Sequence, residues 1–208
     1  MKFPAGPESA RLVQVRMGEM AVTKSPRDVL TIVGLGSCVA LILVAPRQRA
    51  AALAHVVLPE SKMTGGREAP PAKFADTAVP AMLSGLLSLG VRPDDLYAVL
   101  VGGATMFGSA AGSKLAGVGD RNVEAASALL MDAGIAVTGK DVGGEHGRSV
   151  QVVVGESRVM VKSGTDEAVE LGAPPLGGSG QAGERGRVAT ARLAEGSWGE
   201  PASDRMTA

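Results

Sequence analysis

Several residue types that often carry a protein's function are scarce in this 208-residue chain. It has one cysteine and two histidines, and aromatic residues make up only 2% of its residues. A single cysteine excludes an internal disulfide, so nothing indicates an oxidising compartment. The shortage of aromatic side chains removes the stacking platforms that single-stranded nucleic acids need, so the core must be built from aliphatic residues.

Neither sign of charge is in excess. Lys and Arg total 21, Asp and Glu total 21, and the formal net charge is zero. A broad basic surface is therefore excluded, and we predict no nucleic-acid partner. The longest apolar run, residues 39–46, is much shorter than the roughly 20 residues that cross a bilayer, and the first residues lack the apolar stretch of a signal peptide. These features predict a cytoplasmic protein without membrane insertion.

The one cysteine, Cys38, ends the glycine-rich segment Gly34-Leu35-Gly36-Ser37-Cys38, and His55 follows it along the chain. Most free cysteines are small buried hydrophobes, and Cys38 is open to that interpretation. The glycines favour another one, because glycine weakens a strand unless the backbone must bend or admit a close neighbour. A thiol is a strong nucleophile only as the thiolate, and a nearby imidazole is the usual base. The pair indicates a cysteine nucleophile with a histidine base.

The spacing also predicts how the two side chains meet. Residues 38–44 and 50–58 are apolar and flank a polar turn, which is the pattern of a β-hairpin. Cys38 would begin one arm and His55 would lie late in the other, so that they could face each other across the ladder. We prefer His55 over His146, because His146 lies in a glycine-rich segment that we expect to be solvated.

No cofactor or metal is predicted. Two histidines and one cysteine at these spacings match no zinc pattern, and the glycine-rich segments match no nucleotide-binding fingerprint. The segment Asp141-Val142-Gly143-Gly144 is open to two interpretations, an anion-binding turn or a tight connection between strands, and we favour the connection.

The remaining pattern predicts a mixed α and β domain. Helices are predicted over residues 74–89 and 120–133, the second capped by Asp120 or Asn122. Besides the hairpin, β-branched and apolar runs predict strands at residues 12–15, 20–22, 29–33, 96–101, 135–142, 150–154 and 158–162.

The composition divides the chain into three parts. We predict a flexible N-terminus over residues 1–11, one α+β catalytic domain over 12–163, and a low-complexity, disordered tail over 164–208.

The motifs resemble the CheD family, the chemoreceptor glutamine deamidases of bacterial and archaeal chemotaxis. The most specific are the Cys38 segment and Ala54-His55-Val56-Val57-Leu58-Pro59. Further segments agree in the same order, so that the resemblance covers about residues 13–162: Gly18-Glu19-Met20-Ala21-Val22, Lys73-Phe74-Ala75-Asp76-Thr77-Ala78-Val79-Pro80, Gly102-Gly103-Ala104-x-Met106-Phe107, Asp120-Arg121-Asn122-Val123 and Asp141-Val142-Gly143-Gly144-x-x-Gly147-Arg148.

The resemblance implies both a fold and an activity. The fold is an α/β/β layered sandwich similar to the catalytic domain of the cytotoxic necrotizing factor toxins. The activity is hydrolysis of the side-chain amide of selected glutamines in the cytoplasmic helices of chemoreceptors. Family members in some organisms also bind the CheC phosphatase, and a receptor methylesterase activity has been attributed to some.

The resemblance also implies roles for individual residues. Cys38 is the nucleophile and His55 the base, while backbone groups near Ser37, with Gly36 before it, shape the oxyanion or substrate site. One position departs from the family, because Ile32 stands where the family has a catalytic threonine.

Two explanations of this departure are open. A register shift would bring in the neighbouring Thr31, whose side chain otherwise points to the opposite face of its strand. Alternatively the hydroxyl is dispensable, and a backbone carbonyl such as that of Ile32 orients the imidazole. We favour the second, and the departure keeps open a different class of function, a non-catalytic adaptor that binds receptor or phosphatase.

Overall fold

The structure, a computed structural model, describes residue 3 and residues 10–64, 68–105 and 117–173. Most of the predicted flexible N-terminus and residues 174–208 of the predicted tail therefore lie outside the described residues. Met106 and Phe107 of the glycine motif lie outside them as well.

Within these residues the chain forms two α-helices and ten β-strands. The helices are α1 (Ala75–Ser88) and α2 (Val118–Asp132). The strands, in chain order, are β1 (Arg11–Gln14), β2 (Met20–Thr23), β3 (Asp28–Leu35), β4 (Val39–Ala45), β5 (Ala50–Val56), β6 (Tyr97–Gly102), β7 (Ala136–Val142), β8 (Arg148–Val153), β9 (Arg158–Ser163) and β10 (Val169–Glu170).

The strands form two five-stranded sheets. The outer sheet has the order β1-β3-β8-β9-β10, and the central sheet has the order β2-β5-β4-β6-β7. The predicted hairpin is confirmed as β4 and β5, which pair antiparallel in the middle of the central sheet. Strands β1 and β3 lie in the outer sheet, whereas β2 and β4 lie in the central sheet. The chain therefore crosses between the sheets after Gln14, after Thr23 and again after Leu35.

The central sheet is covered on both faces, which explains the continuous apolar run of β4. Val39, Leu41 and Leu43 belong to the core shared with the two helices, whereas Ala40 and Ile42 belong to the core between the sheets. Burial of each such aliphatic side chain contributes roughly 1.5–3 kcal/mol. The predicted mixed α+β class is confirmed, with the two helices on one side of the central sheet and the outer sheet on the other.

Two sequence-based boundaries differ from the structure. Regular structure continues beyond residue 163, because β10 pairs with β9 and Leu171 packs against the core between the sheets. The predicted capping of α2 by Asp120 or Asn122 is wrong, since the helix begins earlier, after Gly117, which adopts a left-handed conformation. Neither helix in the described part of the chain has the length and apolar character needed to cross a bilayer.

Candidate active site

Cys38 and His55 lie on the same face of the central sheet. Val39 pairs with Val56 and Ala40 pairs with His55, so His55 is the diagonal cross-strand neighbour of Cys38. Both side chains face the outer sheet, as Ala40 does. Backbone positions related diagonally across two strands are about 7–8 Å apart. The hairpin thus brings the two predicted residues to one edge of the sandwich, here called the site rim.

Cys38 occupies the crossover from the outer to the central sheet. Gly34 lies at a register shift between Val33 and Leu35 and has φ +80°, a left-handed conformation that glycine adopts without a steric penalty. The shift turns Leu35 into the core between the sheets, together with Ile32. The chain then leaves β3 and places Cys38, only partly buried, just before β4.

The loop after β6 holds the backbone on either side of Ser37. Gly103 N–H donates to the Cys38 carbonyl, and Ala104 N–H donates to the Gly36 carbonyl, both at 2.8 Å. Gly102 has φ +113°, and a Cβ atom there would lie 2.3 Å from the Cys38 carbonyl oxygen. Glycine at position 102, the last residue of β6, is therefore required for this close backbone contact.

Asn122 of α2 holds the third carbonyl of this segment. Its Nδ2 donates to the carbonyl oxygens of Ser37 and Val57, each at 3.0 Å, and its side chain is fully buried. The residue therefore joins the start of β4 to the end of β5. Sequence reasoning missed this role. The only signal was an Asn, in the motif Asp120-Arg121-Asn122-Val123, at a position on the buried face of the helix.

His55 is buried in a niche formed by the connection between β1 and β2. Its backbone N–H donates to the Glu19 carbonyl and its carbonyl accepts from Gly18 N–H, both at 3.0 Å. Burial lowers the pKa of the His55 imidazole, while a hydrogen bond with the Val15 backbone and the charge of Glu19 oppose that shift. His55 Nδ1 is buried and has no hydrogen-bond partner within the described part of the chain.

The Cys38 thiol is also shifted towards its neutral form. Burial raises the pKa of Cys38 above its ordinary value of 9.0. Since burial lowers the pKa of His55, both groups are uncharged near neutral pH. An uncharged imidazole can accept the thiol proton at the moment of attack, which is the requirement for a general base.

The structure distinguishes the two residues considered for the family's threonine position. Ile32 is fully buried in the core between the sheets, on the face of the outer sheet that meets Cys38 and His55. Thr31 lies on the opposite face, where its hydroxyl donates to the Val150 carbonyl at 3.0 Å. The structure therefore shows no register shift that would bring the Thr31 hydroxyl to His55.

His146 lies in the exposed connection between β7 and β8. The buried Arg148 holds this connection together, because its Nη1 donates to the carbonyls of Gly143 and His146 at 2.6 and 3.1 Å and its Nε donates to Asp141 at 2.9 Å. These contacts favour the interpretation as a tight connection. In the described ranges, no group of three or more acidic, histidine or cysteine side chains is arranged to hold a metal ion.

The chain as a whole is similar to proteins of one family. A family model described as CheD chemotactic sensory transduction matches residues 57–163. A Symbiobacterium thermophilum protein named probable chemoreceptor glutamine deamidase CheD is 42% identical over 153 residues, which cover 74% of this chain and 93% of that one. The chemoreceptor glutamine deamidase CheD of Thermotoga maritima is 40% identical over 158 residues, covering 76% and 96% of the two chains.

One solved structure also shows a weak similarity. The Neisseria meningitidis protein NMB0706, of family model DUF152, matches with a TM-score of 0.37 and 13% identity over 64% of this chain and 62% of that one.

Proposed function

This chain belongs to the CheD family, and from that premise we propose that it deamidates selected glutamine side chains of chemoreceptors with Cys38 as the nucleophile. The single observation that supports this most strongly is the placement of Cys38 and His55 on one face of the hairpin, at the site rim. The relatives' names give the reaction and the substrate class. The hairpin register supports the choice of nucleophile and base.

The proposed reaction begins from a neutral pair. His55 accepts the thiol proton as the sulfur attacks the carbonyl carbon of the glutamine side chain. The negative charge on the oxygen is stabilised by the N–H groups of Ser37 and Cys38. The protonated His55 then donates to the departing nitrogen, which leaves as ammonia, and water hydrolyses the thioester to give glutamate and restore the thiol.

The Ser37 and Cys38 N–H groups suit this role because their neighbouring carbonyls are occupied. The carbonyls of Gly36, Ser37 and Cys38 each accept a hydrogen bond from a group behind the site rim. In the described residues, neither N–H has a backbone acceptor. Gly36, which precedes both donors, is the residue that we propose shapes the approach of the substrate.

Ile32 occupies the position of the family's threonine in this chain. We propose that a hydroxyl at position 32 is dispensable and that a backbone group orients His55. The interaction that supports this is the hydrogen bond with the Val15 backbone. We propose that it takes the role for which the Ile32 carbonyl is one candidate from the sequence. Replacing Ile32 by Thr should leave kcat unchanged, and a large gain in kcat would show that the hydroxyl is needed.

Several finer assignments follow from the family and are proposed with the activity. They are a cytoplasmic location, substrates among the cytoplasmic helices of chemoreceptors, the CheC phosphatase as a further partner, and a fold similar to the catalytic domain of the cytotoxic necrotizing factor toxins. The layered order of helices, central sheet and outer sheet supports the last of these.

The test is incubation of the purified chain with cytoplasmic fragments of candidate chemoreceptors, followed by peptide mass spectrometry. We expect a gain of about one mass unit at particular glutamines, the replacement of NH₂ by OH, with wild-type protein and none with Cys38→Ala. Loss of a methyl group from methylated glutamates would instead indicate a methylesterase. Unchanged receptor in every case, with binding of the fragments retained by Cys38→Ala, would favour the adaptor and contradict the proposal.

A further inference from the structure

The buried amide of Asn122 joins the two chain segments that carry the proposed nucleophile and base. We infer that Asn122 is a positioning residue, which aims the Cys38 N–H at the oxygen of the reacting amide. This inference rests on the proposed function. It adds a residue from α2 to a site that is otherwise built from the hairpin, the loop after β6 and the connection between β1 and β2.

The orientation of the Asn122 amide follows from its neighbours. Both partners, Ser37 and Val57, present carbonyl oxygens, which only accept hydrogen bonds. A side-chain NH₂ group has two N–H donors, one for each carbonyl. Asn122 Oδ1 is buried without a partner among the described residues, so the contacts of the amide are confined to its donor side.

The consequence for the reaction comes from the geometry of the peptide unit. The Ser37 carbonyl and the Cys38 N–H belong to one planar trans peptide and point in opposite directions. When Asn122 holds that carbonyl at 3.0 Å, it also fixes the direction of the Cys38 N–H. The Ser37 N–H is fixed in the same way, since the Gly36 carbonyl of its peptide accepts from Ala104 N–H at 2.8 Å.

The hydrogen bond also strengthens the donor that it aims. A carbonyl that accepts a hydrogen bond polarises its own peptide, and the N–H of that peptide becomes a better donor. Donors of this kind act mainly on the transition state, where the charge on oxygen develops, and so they affect kcat more than KM. Loss of one oxyanion donor costs about 10²–10³-fold in kcat. An indirect loss of alignment should cost less, about 10–10²-fold.

The experiment compares Asn122→Ala with Thr31→Val as a matched control. Thr31 also makes a buried side-chain hydrogen bond to a backbone carbonyl, that of Val150, but on the opposite face of the outer sheet. Three quantities are measured on each folded protein: kcat and KM for a mapped receptor glutamine, and the rate at which iodoacetamide alkylates Cys38. Alkylation occurs at a saturated carbon and develops no oxyanion, so it reports the thiol without the proposed donor.

For Asn122→Ala we expect a fall of about 10–10²-fold in kcat, with KM and the alkylation rate each within about threefold of wild type. For Thr31→Val all three values should match wild type. Asn122→Leu keeps approximately the size of the side chain but has no hydrogen-bond donor, and it serves as the second variant if the alanine variant does not fold.

Three results would overturn the inference, and a fourth would instead contradict the function on which it rests. Wild-type kcat in either Asn122 variant would overturn the inference, and so would equal losses in deamidation and alkylation, which indicate general disruption of the site. An equal loss of kcat in Thr31→Val would also overturn it. Absence of ammonia release by the wild-type protein would instead contradict the proposed function.

Discussion

The two rims of the sandwich hold their buried polar groups in opposite ways. At the rim opposite Cys38, here called the far rim, the Asp28 carboxylate accepts from Arg11 at 2.8 and 2.7 Å and from the Thr23 hydroxyl at 2.7 Å. At the site rim, His55 Nδ1 and Asn122 Oδ1 are buried without partners in the described part of the chain. Each unsatisfied buried polar atom destabilises a fold by about 1–3 kcal/mol. The buried polar groups of the site rim therefore lower the stability of the fold, whereas those of the far rim raise it.

The shifts in pKa follow the same division. Arg11 lowers the pKa of Asp28 to about 2, which means that folding favours its charged form. Burial raises the pKa of Cys38 and lowers the pKa of His55, so that folding favours the neutral form of each. The far rim thus connects the sheets through satisfied charge, whereas the site rim holds two groups in their uncharged forms, from which the proposed reaction would start.

The largest expected effect separates the two histidines. His55→Ala should lower kcat about 10²–10⁴-fold, because the variant lacks the group that accepts the thiol proton. His146→Ala should retain wild-type kcat, since His146 is exposed in the connection between β7 and β8. Both are measured by ammonia release from a mapped receptor glutamine. Loss of activity in His146→Ala alone would assign the base to that connection and contradict the site described above.

The next effect concerns the glycines behind Cys38. Gly102→Ala should lower kcat by about 10²-fold, because the added Cβ would displace the Cys38 backbone, whose carbonyl oxygen lies 2.3 Å from the Cβ position. Gly90→Ala is the matched control, since Gly90 also has a positive φ, +74°, but no atom lies within 4 Å of its Cβ position. The control should lose stability and keep kcat. Equal activity in both variants would show that the contact with Cys38 is not needed.

A smaller effect is expected in how the rate of Cys38 alkylation depends on pH. The pKa of the thiol lies above 9.0, so the rate with iodoacetamide should keep rising beyond that pH, by about tenfold per pH unit while the thiol remains protonated. N-acetylcysteine provides the reference for a solvated thiol. A plateau already reached below pH 7 would indicate a preformed thiolate–imidazolium pair at the site rim in place of the neutral one.

The smallest effect on activity is expected at the far rim. Asp28→Asn should leave kcat unchanged and lower the free energy of unfolding by roughly 2 kcal/mol at pH 7, since it removes the charge that Arg11 stabilises. The folded pKa of about 2 lies below the ordinary 3.8, so this contribution is complete above pH 3.8 and is lost as the pH falls from 3.8 through 2. Urea unfolding at pH 7 and at pH 2 measures it, and a difference between variant and wild type that is as large at pH 2 as at pH 7 would contradict the assignment.

Local patterns were enough to predict much of the fold and the proximity of the two candidate residues, Cys38 and His55. The apolar runs of β4 and β5 and the polar turn between them predicted the hairpin, and the hairpin alone brings Cys38 and His55 to one face. The alternation in β3 also placed Ile32 and Thr31 on opposite faces, as the structure has them.

The features that sequence reasoning missed depend on contacts between distant segments. The sequence alone favours a helix-capping role for Asn122. The same amide side chain can cap a helix or bind carbonyls 85 and 65 residues away, and helix propensity does not distinguish these two roles. The hydrogen bond between His55 and the Val15 backbone was missed for a similar reason. Every residue type has the same backbone groups, so the sequence does not indicate which of them lies beside His55. The short β10 lacks a pattern of its own and is held by pairing with β9.

The most direct test of the account is the rate of ammonia release by Cys38→Ala on a mapped receptor glutamine, measured beside the wild-type protein with its free energy of unfolding. We predict a fall of about 10³-fold or more in the rate, with a free energy of unfolding within about 1 kcal/mol of wild type. Release of ammonia by Cys38→Ala at the wild-type rate would contradict the assignment of the sulfur as nucleophile.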